Sequence, residues 1–103
     1  MINVDKNILQ KLIEHYGDKQ VVVAIEELSE LQKELCKHLR GKANRENITE
    51  EMADVYIMLY QMQYYFFIND EEINKIINKK IERTKERLLN EVFKWGSNSR
   101  LCS

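Results

Sequence analysis

The 103-residue chain contains no proline and only three glycines, Gly17, Gly41 and Gly96. Proline breaks a helix by removing a donor and clashing with the preceding turn, and glycine weakens one through backbone entropy. Their scarcity predicts long helices with few interruptions. Cysteine is scarce too, at two residues. Cys36 and Cys102 cannot form the framework of a small disulfide-stapled domain, and both are read as reduced thiols of a cytoplasmic protein. No sign of charge dominates: 16 basic residues face 17 acidic ones, a net charge of −1. General nucleic-acid binding needs a basic surplus, so that class is excluded. A small anionic ligand needs only local charge and is not. The chain also lacks a long apolar run. The longest nearly uncharged stretch, from Val55 to Asn69, holds four tyrosines and two glutamines and is too short and too polar to span a membrane. Met1-Ile2-Asn3-Val4-Asp5 has neither the basic run nor the apolar stretch of a signal peptide.

What is present suits a globular chain: 44% of residues are hydrophobic and 32% charged. The length fits one domain. Apolar residues recur at helical spacing in four segments. The first runs from about Asp5 to Tyr16 and stops at Gly17. The second opens with Asp18 as N-cap and carries Val21, Ala24, Leu28, Leu31, Leu35 and Leu39 to a stop at Gly41. The third begins at Asn47 or Thr49, and its stripe is Val55, Leu59, Met62 and Phe66. The fourth starts with Asn69 and Glu72 in the capping-box arrangement and runs to about Phe93. The expected architecture is all-α: a bundle of four to five helices over residues 1–95, completed by oligomerisation, with a flexible tail over 96–103. The oligomer is expected because Ile57, Tyr60, Tyr64 and Phe67 spread around the third helix beyond its main stripe.

Two pairs of acids stand out. Glu27 and Glu30 lie three apart on the second helix, and Glu51 and Asp54 lie three apart on the third. Residues at that spacing share a helix face and can reach one cation. Consecutive helices joined by a short loop pack antiparallel, which would bring the pairs together. Magnesium prefers oxygen ligands and keeps waters beside them, which suits carboxylates that also engage phosphates. At about 100° per residue, Glu51 falls only about 40° from the stripe centred on Val55. A carboxylate near the core calls for a cation. Against this, acids are common on helix surfaces, and the macrodipole favours them in a first turn. A di-iron bundle would need Glu-x-x-His, and neither His15 nor His38 has a glutamate three residues before it.

The stretch Ala24-Ile25-Glu26-Glu27-Leu28-Ser29-Glu30-Leu31, followed by Glu50-Glu51-Met52-Ala53-Asp54-Val55, resembles the Glu-Glu-x-x-Glu, spacer, Glu-x-x-Asp motif of MazG-like all-α nucleoside triphosphate pyrophosphohydrolases. Twenty residues lie between Glu30 and Glu51, a spacing that family uses. The resemblance implies an Mg2+-dependent hydrolysis, with Mn2+ as the alternative ion, of a ribo- or deoxyribonucleoside triphosphate to the monophosphate and pyrophosphate. It implies metal ligands at Glu27, Glu30, Glu51 and Asp54. Glu26 and Glu27 would serve catalysis, Glu26 by helping to bind metal or water. It also implies dimers or pairs of dimers.

Lys80, Arg83 and Arg87 fall within about 60° of one another on the fourth helix and are candidate substrate-phosphate groups. Asn78-Lys79-Lys80-Ile81-Glu82-Arg83 resembles the Asn-x-Lys-aromatic-x-x-Arg stretch of larger MazG enzymes, with Ile81 in the aromatic position. The plainer reading of these residues is a solvated face laced with charge pairs. The aromatics Tyr56, Tyr60, Tyr64, Tyr65, Phe66 and Phe67 could stack a base, but such groups more often fill cores and interfaces. Alternatives to the enzyme reading are a non-catalytic helical dimerisation module and, within the superfamily, a phosphoribosyl-ATP pyrophosphohydrolase or a dUTPase-like enzyme.

Overall fold

The computed structural model describes residues 2–42 and 44–94, with no side-chain description of residues 93 and 94. The expected tail, 96–103, lies outside the described residues. Among the described residues the chain forms four helices and no strands: α1 (Lys6–Tyr16), α2 (Lys19–Leu39), α3 (Arg45–Tyr65) and α4 (Asp70–Lys94). All-α architecture is therefore as expected. The chain divides into two compact units, Met1–Ile68 and the segment from Asn69 onward.

Local chemistry sets the helix ends. Asp5 caps α1 by accepting from the Ile8 amide at 3.3 Å. Gly17 ends it at φ 55°, and Gly41 follows α2 at φ 74°, both in the left-handed region that glycine enters without a Cβ clash. Asp18 precedes α2 but makes no capping hydrogen bond; its carboxylate instead accepts from the Tyr65 hydroxyl. Helix α3 begins two to four residues earlier than its apolar spacing suggests. Asn44 is its cap, accepting from the Asn47 amide at 3.1 Å. Its end is unusual: Phe67, at φ 57°, takes the left-handed position that glycine normally fills. Asn69 and Glu72 form the reciprocal capping box of α4, with both bonds at 2.9 Å.

In the first unit α2 packs chiefly on α3, and α1 packs on both. Leu9 and Ile13 of α1, Ala24 of α2 and Met58 of α3 are its buried apolar side chains. The larger of these contribute on the order of 1.5–3 kcal/mol each. Tyr60 belongs to this packing: its hydroxyl accepts from Gln10 Nε2 at 3.0 Å, and Lys6 Nζ sits 5.8 Å from its ring centre. These contacts tie it to α1.

The α2–α3 seam departs from the apolar stripes. The buried or half-buried residues of α2 along it are Gln20, Ala24, Glu27, Leu31 and Glu34. Leu28 and Leu35, expected inside, are half exposed, and Leu39 is 85% exposed. On α3, Leu59 and Phe66 are likewise exposed, while Met58 and Gln61 are buried. The stripes are thus only partly inside: Ala24 is buried and Val21, Leu31, Val55 and Met62 are half-buried, and both helices turn by roughly 60–90° towards their polar flanks. The reason is that α2 is apolar over a broad arc, and the flank used against α3 is the one whose polar residues find partners across the seam.

Candidate metal centre

Turning α2 and α3 this way puts acids in the seam. Glu27 projects from the middle of α2, and Glu51 and Asp54 project from successive turns of α3. One carboxylate oxygen from each lies within 4.8 Å of the others. All three side chains are half-buried. Oxygens bound to one Mg2+ at about 2.1 Å can be at most about 4.2 Å apart, and around Ca2+ at 2.3–2.6 Å at most about 5 Å. The 4.8 Å limit on the triplet falls within the Ca2+ span and exceeds the Mg2+ span, so the three side chains would have to draw in around Mg2+. The triplet's donors are hard oxygens, the chemistry a divalent cation of this class prefers.

The electrostatics agree with the geometry. Partial burial, first, and then the charge and hydrogen bond of Asp54 raise the Glu27 pKa above its ordinary 4.5; Glu51 and Glu30 add to the shift. Glu51 is raised by desolvation, then by Asp54, Glu30 and Glu34. A cation among the three carboxylates would relieve the repulsion that raises Glu27 and Glu51.

The other predicted residues stand differently. Glu30 is exposed and outside the close triplet, although its charge is felt by Glu27 and Glu51. Glu26 is also exposed and outside the triplet; its backbone carbonyl accepts from the Ser29 hydroxyl at 2.7 Å. Lys80, Arg83 and Arg87 are exposed positions of α4, in the second unit. The same helix carries the local pair Lys85–Glu82 at 3.6 Å.

Glu34 was not singled out by its sequence context. It is buried, ion-pairs with Lys37 at 2.9 Å and accepts a hydrogen bond from the Asn47 side chain. Lys37 holds its pKa below the ordinary 4.5. The available signal was its place seven residues after Glu27, two helical turns along one face.

Among the described residues, no helix is long and apolar enough to cross a membrane. Comparison with protein-family models, with curated proteins and with solved structures finds no match.

Proposed function

We propose that the protein is a divalent-metal-dependent nucleoside triphosphate pyrophosphohydrolase, cleaving between the α- and β-phosphates. The observation that carries the reading is the half-buried carboxylate triplet of Glu27, Glu51 and Asp54, held by two opposed helices. Exposed acids often stand without an ion; this set is half-buried, and Glu27 and Glu51 are both raised by burial and neighbouring carboxylates. The motif resemblance connects the triplet to a reaction.

Glu27, Glu51 and Asp54 would hold Mg2+, or Mn2+ in its place, and the motif resemblance adds Glu30 as a fourth ligand. Such an ion, when bound, neutralises phosphate charge and acidifies a water. Glu26 orients the attacking water with Glu27. The motif resemblance assigns phosphate binding to Lys80 and Arg83, joined by Arg87 on the same flank of α4 in the second unit.

Exposed apolar residues extend the proposal to a homo-oligomer. Leu28, Leu35 and Leu39 on α2 and Leu59 and Phe66 on α3 leave uncovered the faces that periodicity marks as apolar. Light scattering at micromolar concentration should give at least a dimer mass; a monomer would refute this extension alone. The reaction itself is tested by incubating the protein with each common ribo- and deoxyribonucleoside triphosphate. Mg2+-dependent release of pyrophosphate from at least one supports the reading. No release from any of them, with either Mg2+ or Mn2+, refutes it.

A further inference from the structure

The α2–α3 seam contains three polar rungs at regular intervals. Gln20 faces Gln61, Glu27 faces Asp54, and Glu34 faces Asn47. Each step moves seven residues forward on α2 and seven back on α3, which is two turns of each antiparallel helix. The carboxylate rung is in the middle.

The two outer rungs are specific in ways an apolar contact is not. Gln20 Nε2 donates to Gln61 Oε1 at 2.7 Å inside the seam. Gln61 is 1% exposed, the only described side chain so fully buried, and its own amide nitrogen is satisfied by Met58 Sδ at 3.5 Å. At the other end Glu34, 7% exposed, is fixed by Lys37 on its own helix and by Asn47 across the seam. The Asn47 backbone is anchored in turn by the Asn44 cap. A buried amide or carboxylate that loses its partner costs a full desolvation penalty. Sliding α3 along α2 by one residue would unmake both outer rungs together. Apolar neighbours such as Ala24 and Met58 oppose such a slip only weakly.

We infer that Gln20–Gln61 and Glu34–Asn47 form a register clamp, and that these positioning residues set the spacing of the Glu27, Glu51 and Asp54 oxygens for a divalent cation. The inference rests on the metal-site reading of that triplet. Buried polar contacts that select one register are the best-attested use of such groups, and partners of metal ligands govern affinity.

The test uses Gln20→Leu/Gln61→Leu in the full chain. Replacing both partners by apolar groups of similar size leaves no orphaned donor and should keep or raise thermal stability. A structural role alone then predicts unchanged function. The clamp predicts two other changes. First, spin labels on cysteines placed at the exposed positions Gln32 and Met52, with Cys36 and Cys102 changed to serine, give a narrow distance distribution in the parent. That distribution broadens or shifts in the double variant. Second, Mn2+ affinity measured by calorimetry falls about tenfold or more. Asn47→Ala, which leaves Glu34 paired with Lys37, should weaken Mn2+ binding in the same direction without unfolding the protein. An unchanged distance distribution overturns the clamp whatever the metal result. A changed distribution with unaltered Mn2+ affinity overturns its link to the site. A parent protein that takes up no Mn2+ removes the metal reading, while the distance measurement still decides whether the rungs fix the register.

Discussion

The α2–α3 seam and helix α4 both carry charged residues at helical spacing, yet they differ in what surrounds those charges. In the seam, an acid on one helix meets acids on another, and the three carboxylates of the triplet are half-buried and mutually close. On α4, Lys80, Arg83 and Arg87 share a flank and are exposed, beside a local Lys85–Glu82 pair. Spacing along one helix can put groups on one face. It takes a second element, packed in a definite register, to turn a face into a coordination geometry. The seam meets that condition within one unit, and its electrostatics respond: Glu27 and Glu51 are both shifted upward by burial and by each other's neighbourhood.

The largest effects should come from breaking the seam's side of this contrast. Glu27→Gln or Asp54→Asn should lower Mg2+-dependent turnover by about a hundredfold or more, since each removes a ligand charge. Circular dichroism should show the helices intact, and metal-free stability should hold or rise as like-charge repulsion is relieved. Turnover within a factor of about two of the parent in both variants would remove the triplet from the mechanism.

Smaller effects are expected on α4. Lys80→Ala and Arg83→Ala should each raise KM by about tenfold, the worth of one charge-assisted hydrogen bond, with kcat less affected. Arg87→Ala should do less. Unchanged KM in all three would leave α4 as a solvated charged face and confine the chemistry to the seam.

The contrast also has a pH signature. Carboxyls with folded pKa values above the ordinary 4.5, as at Glu27 and Glu51, bind their protons more tightly in the folded state. Their contribution to stability is complete below the ordinary value and is lost as pH rises through the raised values. Glu34 works in the opposite sense. Lys37 lowers its pKa, so its contribution is present above the ordinary value and is lost as pH falls through the lowered one. Metal-free Tm should therefore rise as pH falls from neutrality through the raised values towards the ordinary 4.5, then decline in stronger acid. Saturating Mg2+ should flatten the upper limb, and Asp54→Asn should weaken it. A metal-free Tm that is flat or falls over the whole of that upper limb would contradict the coupled-acid description.

The smallest effect lies away from both regions. Phe67 is 92% exposed and holds a left-handed backbone. Phe67→Gly should relieve about 1 kcal/mol of backbone strain, seen as a rise in Tm. A fall in Tm would mean that the exposed ring is covered in solution.

Much of the fold was legible because its signals are local. The missing prolines, Gly17, Gly41 and the Asn69–Glu72 box mark out helices that the structure contains. The start of α3 was less so, because Asn44 caps a first turn of polar residues that shows no apolar period. The orientation of α2 was not legible. Its apolar arc offers several faces, and Leu28 lies near the centre of the arc but outside the seam. The flank that turns inward carries the pairings of Gln20 with Gln61 and of Glu34 with Asn47, and neither is visible along a single helix. For the same reason Glu27, Glu51 and Asp54 could be chosen by spacing, while the exclusion of Glu30 from the close triplet and the burial of Glu34 needed the partner helix. Tyr60 could be counted as a surplus aromatic, but its bond to Gln10 joins residues 50 positions apart.

The central claim is that the carboxylate triplet supports cleavage between the α- and β-phosphates of a nucleoside triphosphate. Chromatography of the reaction products tests it most directly, with the unmodified protein, a panel of nucleoside triphosphates, and either Mg2+ or a chelator. The account predicts nucleoside monophosphate and pyrophosphate in equal amounts with Mg2+, and neither with the chelator. Nucleoside diphosphate and orthophosphate as the products, or the same products at the same rate in the chelator, would contradict it.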